Sequence, residues 1–142
     1  MNKFKVCIIG FSYGNKVIFN AIQAFREIKI VGIGFKNYRK KTKLKSNHLN
    51  IKFSRNWKEL INKTEPNIVF ISTPTKIQEK IINYLIIKKI SFLSEKPLAS
   101  NFIVATKICE KVKKLQLPSV IDFNFLSLPI IKFLKNYIKA SK

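Results

Sequence analysis

The sequence predicts a doubly wound α/β fold, in which a parallel sheet lies between two layers of helices. Short apolar runs alternate along the chain with segments whose apolar residues recur at helical spacing. The apolar runs are continuous rather than alternating with polar residues, which is typical of strands buried on both faces. The connections are short, so right-handed crossovers place helices on both sides of a single sheet.

Six runs are predicted strands, and five segments are predicted helices. The strands are FKVCIIG (4–10), IKIVGIG (28–34), IKF (51–53), NIVFIST (67–73), ISFLSE (90–95) and PSVIDFNF (118–125). The helices are NKVIFNAIQAFR (15–26), NWKELINK (56–63), TKIQEKIINYLIIKK (75–89), a segment from Ser100 or Asn101 to about Lys114, and PIIKFLKNYIKASK (129–142). The basic stretch 35–50 is predicted to be a loop or a weak helix.

Helical spacing also predicts which side chains point inward. The inward face of the first helix is formed by Val17, Ile18, Ala21, Ile22 and Phe25. That of the third helix is formed by Ile77, Ile81, Tyr84 and Leu85, and the final segment carries Ile131, Leu134 and Ile138 at the same spacing. Asn56 followed by Glu59 is a capping-box arrangement that starts the second helix.

Cysteine and histidine usage argues against metal and redox chemistry. Cys7 and Cys109 lie far apart without a CxxC pair, and both sit among apolar residues, so we expect buried free thiols. His48 is the sole histidine, which excludes a multi-histidine metal site. We therefore expect no metal, and nothing beyond His48 itself indicates a Ser-His-Asp triad.

The formal net charge is +21, from 28 Lys and Arg against 7 Asp and Glu. Nearly all of the basic residues are lysines, whereas base reading and bidentate phosphate recognition favour arginine. We attribute the charge to biased composition, with salt-sensitive binding to polyanions as a by-product. No uncharged apolar stretch reaches the about 20 residues of a membrane helix, and no signal peptide is expected, so a cytoplasmic protein is predicted.

The turn after the first strand is a damaged version of the G-x-G-x-x-G pyrophosphate-binding turn. Its three positions hold Gly10, Ser12 and Asn15, with Gly14 as an additional glycine. The following helix still offers free N–H groups and a partial positive charge at its start. Two interpretations stay open, a dinucleotide site and an ordinary strand–helix turn.

The end of the second strand bears on the choice between nicotinamide cofactors. An acidic residue there would accept hydrogen bonds from the adenosine ribose, but the sequence has Phe35 followed by Lys36, Arg39 and Lys40. Cations at this position favour NADP over NAD, because they can face a 2′-phosphate. A solvated basic loop explains the same residues equally well.

Two further motifs resemble those of the glucose–fructose oxidoreductase, inositol dehydrogenase and MocA-like (Gfo/Idh/MocA) family. They are Thr73-Pro74 after a buried strand and Glu95-Lys96-Pro97 after the next, and Asn124 and Pro129 match a third stretch of that family. The resemblance covers the family's N-terminal, Rossmann-like NAD(P)-binding domain. It implies that Lys96 acts at the reacting centre. The predicted cofactor-binding residues come from this resemblance, from the turn and from the end of the second strand. They are Gly10, Phe11, Ser12, Tyr13, Gly14, Asn15, Phe35, Lys36, Arg39, Ser72, Thr73, Pro74, Gln78, Glu95, Lys96, Pro97 and Asn124.

The sequence also departs from the family. Ser12 and Asn15 replace glycines, Gln78 stands where histidine is common, and Leu126 stands where arginine is common. Residues 1–123 are predicted to form the dinucleotide-binding domain, and 124–142 a helical segment where the family's second, substrate-binding domain would begin.

Three functions remain open after this comparison. The leading interpretation is the NAD(P)-binding part of a sugar or polyol oxidoreductase, inactive alone and completed by a separately encoded half or by self-association. The second is a non-enzymatic, partner-binding domain with a degenerate turn. The third is a basic nucleic-acid-binding domain, which lacks the expected aromatic–basic motifs.

Overall fold

A computed structural model describes residues 4–10, 17–36, 50–123, 126 and 128–140 of the chain. The strands are β1 (Phe4–Ile9), β2 (Ile28–Gly34), β3 (Lys52–Ser54), β4 (Ile68–Ile71), β5 (Ser91–Glu95) and β6 (Ser119–Asp122). The helices are α1 (Phe19–Gln23), α2 (Trp57–Thr64), α3 (Thr75–Lys88), α4 (Phe102–Lys114) and α5 (Pro129–Ala140). None of these helices combines the length and the apolar character needed to cross a bilayer.

The six strands form one parallel sheet in the order β3-β2-β1-β4-β5-β6. The chain runs outward from β1 to one edge and then returns to build the other half from β4 to β6. This order confirms the predicted doubly wound α/β fold. The strand order reverses between β1 and β4, which is where such sheets open a crevice for a ligand.

Alternate side chains of β1 enter two different apolar clusters, one on each face of the sheet. Val6 and Ile8 pack with Ile18, Phe19 and Ile22 around α1. Cys7 and Ile9 belong to the larger cluster with side chains of α2, α3 and α4. The predicted three-layer arrangement is therefore present, with continuous apolar strands buried from both sides.

The first helix ends before the predicted residue 26, and its inward face is narrower than predicted. Ile18 and Ile22 are buried as expected, but Val17, Ala21 and Phe25 are exposed. The regular helix ends at Gln23, and the Ala24 N–H bonds back to the Ala21 and Ile22 carbonyls. Phe25 therefore lies beyond the helix, where helical spacing no longer directs its side chain to the sheet.

The caps of two helices agree with the sequence. The Asn56 side chain accepts hydrogen bonds from the backbone N–H groups of Lys58 and Glu59, which starts α2. The reciprocal half of the capping box is absent from these contacts, because the Asn56 N–H donates to Ser54 Oγ and Glu59 pairs with Lys63 instead. At α4, Asn101 rather than Ser100 is the cap, accepting from Val104 N–H at 3.0 Å.

Two further side-chain predictions are wrong. Ile77 is exposed, and the buried stripe of α3 begins at its neighbour Gln78, which is only 1% exposed. Ile81 and Leu85 are buried as predicted, and Tyr84 is half-buried. Cys7 is buried, but Cys109 is exposed because the inward position of α4 is taken by Ile108.

Candidate functional site

The carboxyl ends of four neighbouring strands bring four predicted site residues into one row. Ile9 of β1 lies opposite both Gly34 of β2 and Ile71 of β4, and Ile71 lies opposite Ser94 of β5. The next residues along these strands form a row at one edge of the sheet: Gly10, Phe35, Ser72 and Glu95. Ligands of doubly wound sheets bind outside this edge, so we call it the strand-end edge.

Gly10 is fixed tightly between its neighbours in that row. Its N–H donates to the Gly34 carbonyl at 3.0 Å, and the Ser72 N–H donates to the Ile9 carbonyl at 2.7 Å. Gly10 has a φ of 115°, and a Cβ there would lie 1.9 Å from the Ser72 carbonyl oxygen. Only glycine fits this position, so the tip of β1 presents bare backbone.

The segment between β4 and α3 contributes Ser72, Thr73 and Pro74. Thr73 Oγ1 is buried and has no hydrogen-bond partner within the part of the chain that the structure describes. Buried hydroxyls are normally hydrogen-bonded, so this one fits a ligand group that would donate to it or accept from it. Pro74 precedes α3, and its carbonyl accepts from the N–H groups of Ile77 and Gln78.

Glu95 ends β5 opposite Asp122 of β6, which places two carboxyl groups side by side. Burial raises the pKa of the Glu95 carboxyl, and the charge of Asp122 raises it further. A hydrogen bond from the Lys96 backbone and the charge of Lys96 act in the opposite direction. Glu95 Oε1 is buried and unpartnered among the described residues, so it is a second polar atom at this edge that a ligand would satisfy.

Lys96 and Pro97 follow β5 and are exposed, and the peptide bond between them is cis. Gln78 has been predicted to contact the cofactor, but its side chain points into the protein beneath this segment. Its Nε2 donates to the carbonyl oxygens of Glu95 at 3.0 Å, Pro97 at 2.6 Å and Leu98 at 3.3 Å. Gln78 therefore holds the loop that carries Lys96.

Phe35, another predicted site residue, occupies its position in the row with a buried ring. Its ring is buried and packs against Phe53, with ring centroids 6.3 Å apart. The backbone N–H of Phe35 donates to the Ser54 carbonyl, so only its backbone lies at the edge. Lys36 is exposed directly after it.

The remaining predicted site residues lie outside the described part of the chain: Phe11, Ser12, Tyr13, Gly14, Asn15, Arg39 and Asn124. His48 and Lys40 are outside it as well. Among the residues that are described, no three His, Cys, Asp or Glu side chains cluster as metal ligands do.

An open groove between α2 and α3 is lined by Trp57, Lys58, Lys76, Tyr84 and further side chains, none of them a predicted site residue. The Trp57 and Tyr84 rings meet edge to face at 5.3 Å, and Lys58 Nζ lies 5.5 Å and 5.6 Å from the two ring centroids. The Lys58 side chain therefore already occupies the faces of the two rings in this groove. We place the functional site at the strand-end edge instead.

Two residues near the edge, Asp122 and Glu79, were not identified from the sequence. Asp122 ends a strand of the same sheet, and its place after an apolar run was the available signal. Glu79 accepts a hydrogen bond from the Ser100 N–H at 2.5 Å. Its partner lies 21 residues away along the chain, so no local pattern reveals it.

Comparison with known proteins agrees with this geometry. Residues 4–123 match the sequence model of an oxidoreductase family with an NAD-binding Rossmann fold. No curated protein matches the sequence.

Solved structures with the same fold come from several bacteria. Biliverdin reductase from Synechocystis sp. PCC 6803, in complex with biliverdin and NADP+, is 16% identical with a TM-score of 0.85, over 95% of this chain and 42% of that one. An oxidoreductase from Agrobacterium radiobacter, in complex with NAD+, L-tartaric acid and magnesium, is 17% identical with a TM-score of 0.82, over 98% and 41%. The 3-ketoreductase KijD10 from Actinomadura kijaniata, in complex with TDP-benzene and NADP, is 16% identical with a TM-score of 0.82, over 98% and 43%. The chain thus spans about two fifths of the length of each.

Proposed function

We propose a function for this chain from one premise, that it belongs to the Gfo/Idh/MocA oxidoreductase family and is its NAD(P)-binding Rossmann domain. The strand-end edge is then the place where the nicotinamide dinucleotide binds. The observation that carries this placement is the bare backbone at Gly10, wedged against Ser72 in the row formed by four strand ends.

The pyrophosphate is proposed to lie over the turn that starts at Gly10. A phosphate oxygen approaches a backbone closely only where no side chain intervenes, and Gly10 meets that need. We propose that Phe11, Ser12, Tyr13, Gly14 and Asn15 complete the cradle, with backbone N–H groups as donors to the phosphates.

The nicotinamide end is proposed to lie between the segments after β4 and β5. Ser72, Thr73 and Pro74 flank it on one side, and the Thr73 hydroxyl, which has no partner among the described residues, supplies a hydrogen bond. The nicotinamide, when bound, supplies or accepts a hydride. Lys96 holds a positive charge beside the reacting centre, where it stabilises developing negative charge and helps to move a proton.

The substrate is proposed to be a sugar, a sugar derivative or a polyol. The chain spans about two fifths of the solved structures it matches, so we propose that residues 1–123 form the cofactor domain and that 124–142 begin the connection to a second domain. That domain would supply the acid–base groups and the substrate pocket. We therefore expect no turnover of sugars by residues 1–142 alone.

A preference for NADP over NAD is proposed from the charge after β2. Lys36 is exposed at that strand end without a neighbouring carboxylate in the sequence from 34 to 42. Arg39 is proposed to contact the 2′-phosphate as well. At moderate salt, tighter binding of NAD than of NADP would contradict this preference.

A partner-binding domain is the second candidate, because α5 exposes an apolar stripe. The stripe follows helical spacing and consists of Ile130, Phe133, Leu134, Tyr137 and Ile138. A separately encoded second half, or another copy of the chain, would cover it. Sedimentation analysis of the chain separates these cases, and a concentration-independent monomer would exclude self-association.

Thr73→Val tests the cofactor site, because it is expected to weaken cofactor binding without destabilising the free protein. Valine has nearly the shape of threonine but lacks the hydroxyl, so cofactor affinity is expected to fall by about three- to tenfold. The same change removes a buried hydroxyl that has no partner among the described residues, so the free protein is expected to keep or gain stability. Isothermal titration with NADP+ and NAD+, and urea unfolding, measure the two effects.

Thr64→Val is the matched control. Thr64 Oγ1 is buried but donates to the Leu60 carbonyl at 2.7 Å, away from the strand-end edge. This variant is expected to lose about 1 kcal/mol of stability and to bind cofactor as the unmodified chain does. If the unmodified chain gives no saturable binding of either nucleotide, the proposed function is wrong.

A further inference from the structure

We infer that Gln78 and Glu79 are positioning residues that hold the β5–α4 loop at both ends and thereby fix where Lys96 stands relative to bound nicotinamide. The inference rests on the proposed function for the role of Lys96. Gln78 is among the cofactor-binding residues predicted from the sequence, whereas here we infer that it positions the loop that carries Lys96. We call residues 95–100 the lysine loop.

Gln78 holds the first part of the lysine loop. Its side chain is only 1% exposed, and its single amide nitrogen lies within hydrogen-bond distance of the Glu95, Pro97 and Leu98 carbonyl oxygens. Two of these carbonyls belong to the residues immediately before and after Lys96. Fixing both neighbouring carbonyls fixes the backbone of Lys96, and with it the direction in which its side chain leaves the chain.

The chemistry at this point requires a donor. An amide nitrogen carries two hydrogens and donates both, whereas a carboxylate only accepts. Three carbonyl oxygens converge on Gln78, so a glutamate of the same shape would face them without a hydrogen to share. Replacing glutamine by glutamate at residue 78 therefore turns attraction into repulsion without changing the packed volume.

Glu79 holds the far end of the same loop. Its Oε1 accepts the backbone N–H of Ser100 at 2.5 Å, and this hydrogen bond is the main reason that the pKa of Glu79 lies below its usual value. Gln78 and Glu79 are consecutive, so one short piece of α3 contacts the lysine loop at both ends. The buried Ala99 between these contacts packs into the core.

The position of α3 joins the two sides of the proposed nicotinamide site. The helix begins at Thr75, directly after Pro74 and Thr73, whose hydroxyl has no partner among the described residues. Thr73 on one side and the lysine loop on the other are therefore both attached to α3. The expected consequence is that loosening Gln78 or Glu79 moves Lys96 relative to the nicotinamide while the sheet stays intact.

The test compares Gln78→Met and Gln78→Glu with Gln23→Met, which changes an exposed glutamine at the end of α1. Hydrogen exchange of the Leu98, Ala99 and Ser100 amides is measured first, without cofactor. Lysine side-chain NMR signals are then followed during titration with NADP+, and the Lys96 signal is identified by its loss in Lys96→Arg. Glu79→Ala provides a second, surface-accessible variant that is expected to fold in any case.

In the unmodified chain and in Gln23→Met, cofactor is expected to shift the Lys96 signal. In Gln78→Met that shift is expected to shrink, with exchange of the loop amides about tenfold faster, and Gln78→Glu is expected to show a larger effect. Glu79→Ala is expected to speed the exchange of Ser100 most. A role limited to general stability would leave the cofactor-induced shift of Lys96 unchanged in the folded variants.

Unchanged loop exchange and an unchanged Lys96 shift in Gln78→Met and Glu79→Ala would overturn the inference while the proposed function stands. Absence of any saturable cofactor binding in the unmodified chain would instead overturn the proposed function, and with it the assigned role toward Lys96. Hydrogen exchange of the loop amides in the free protein distinguishes these two outcomes, because it shows whether Gln78 and Glu79 restrain the lysine loop when no cofactor is present.

Discussion

Gly10→Ala adds one methyl group at the tip of β1, where the structure leaves no room for it. The new Cβ would lie 1.9 Å from the Ser72 carbonyl oxygen and 2.5 Å from its carbon, whereas real Cβ contacts stay beyond 3.0 Å. Relief requires β1 and the end of β4 to separate by at least about 1.1 Å, the difference between 3.0 and 1.9 Å. The Ser72 N–H bond to Ile9 at 2.7 Å lies in the path of that movement.

The cost has three parts. A non-glycine residue at a φ of 115° costs about 1–3 kcal/mol. Displacing a packed strand end costs about 1–3 kcal/mol, and a weakened strand-end hydrogen bond about 1 kcal/mol. We therefore expect a loss of about 3–7 kcal/mol, a large part of the 5–15 kcal/mol that typically stabilises a domain.

Urea unfolding followed by Trp57 fluorescence and far-ultraviolet circular dichroism measures the loss. Gly34→Ala is the control, because its Cβ would meet Ile9 side-chain atoms at 3.5 Å, an ordinary contact. That variant is expected to change the free energy of unfolding by less than about 1 kcal/mol. Equal effects of the two substitutions would refute the close packing of β1 on β4 at this edge.

Further expected outcomes concern the two cysteines, the buried stripe of α3 and the cap of α4. Burial raises the pKa of the Cys7 thiol to about 12, whereas the unfolded chain loses this proton near pH 9. The folded state alone keeps the proton between pH 9 and 12, so the free energy of unfolding is expected to fall as the pH rises through this range. Alkylation is expected to label Cys109 and spare Cys7 in the folded chain, and Cys7→Val should flatten the alkaline loss of stability. Ile81→Ala is expected to cost about 2–5 kcal/mol in urea unfolding, against less than about 0.5 kcal/mol for Ile87→Ala at the exposed face of α3. Asn101→Ala is expected to lower the thermal midpoint through about 1 kcal/mol of lost capping, and Asn101→Asp should largely restore it.

Local patterns predicted those elements whose causes are local. The run from Val6 to Ile9 is apolar on both faces, and the structure buries it from both sides. Asn56 caps α2 because its side-chain oxygen reaches the N–H groups two and three residues ahead. Such contacts span only a few residues, so the sequence alone is enough to predict them.

The error at Ile77 has the opposite cause. Helical spacing pointed Ile77 inward, but the inward position at the start of α3 is held by Gln78, whose partners lie 17 to 20 residues further along the chain. Phe25 was counted on a helical face that ends before it, and Cys109 on a face that Ile108 occupies. Only for Ile77 does the decision depend on partners that the local pattern does not contain, because Phe25 follows the end of the helix and Ile108 is adjacent to Cys109.

By itself the sequence determined the parallel sheet, its helical layers and the motifs that follow the strands, because strands buried on both faces must be continuously apolar. The tertiary structure alone decided that Gly10 abuts Ser72, that Glu95 stands beside Asp122, and that the Gln78 side chain donates to the Pro97 carbonyl. The physical reason is that register and distant hydrogen-bond partners are set by how the strands pair, and that pairing joins residues that lie far apart in the chain.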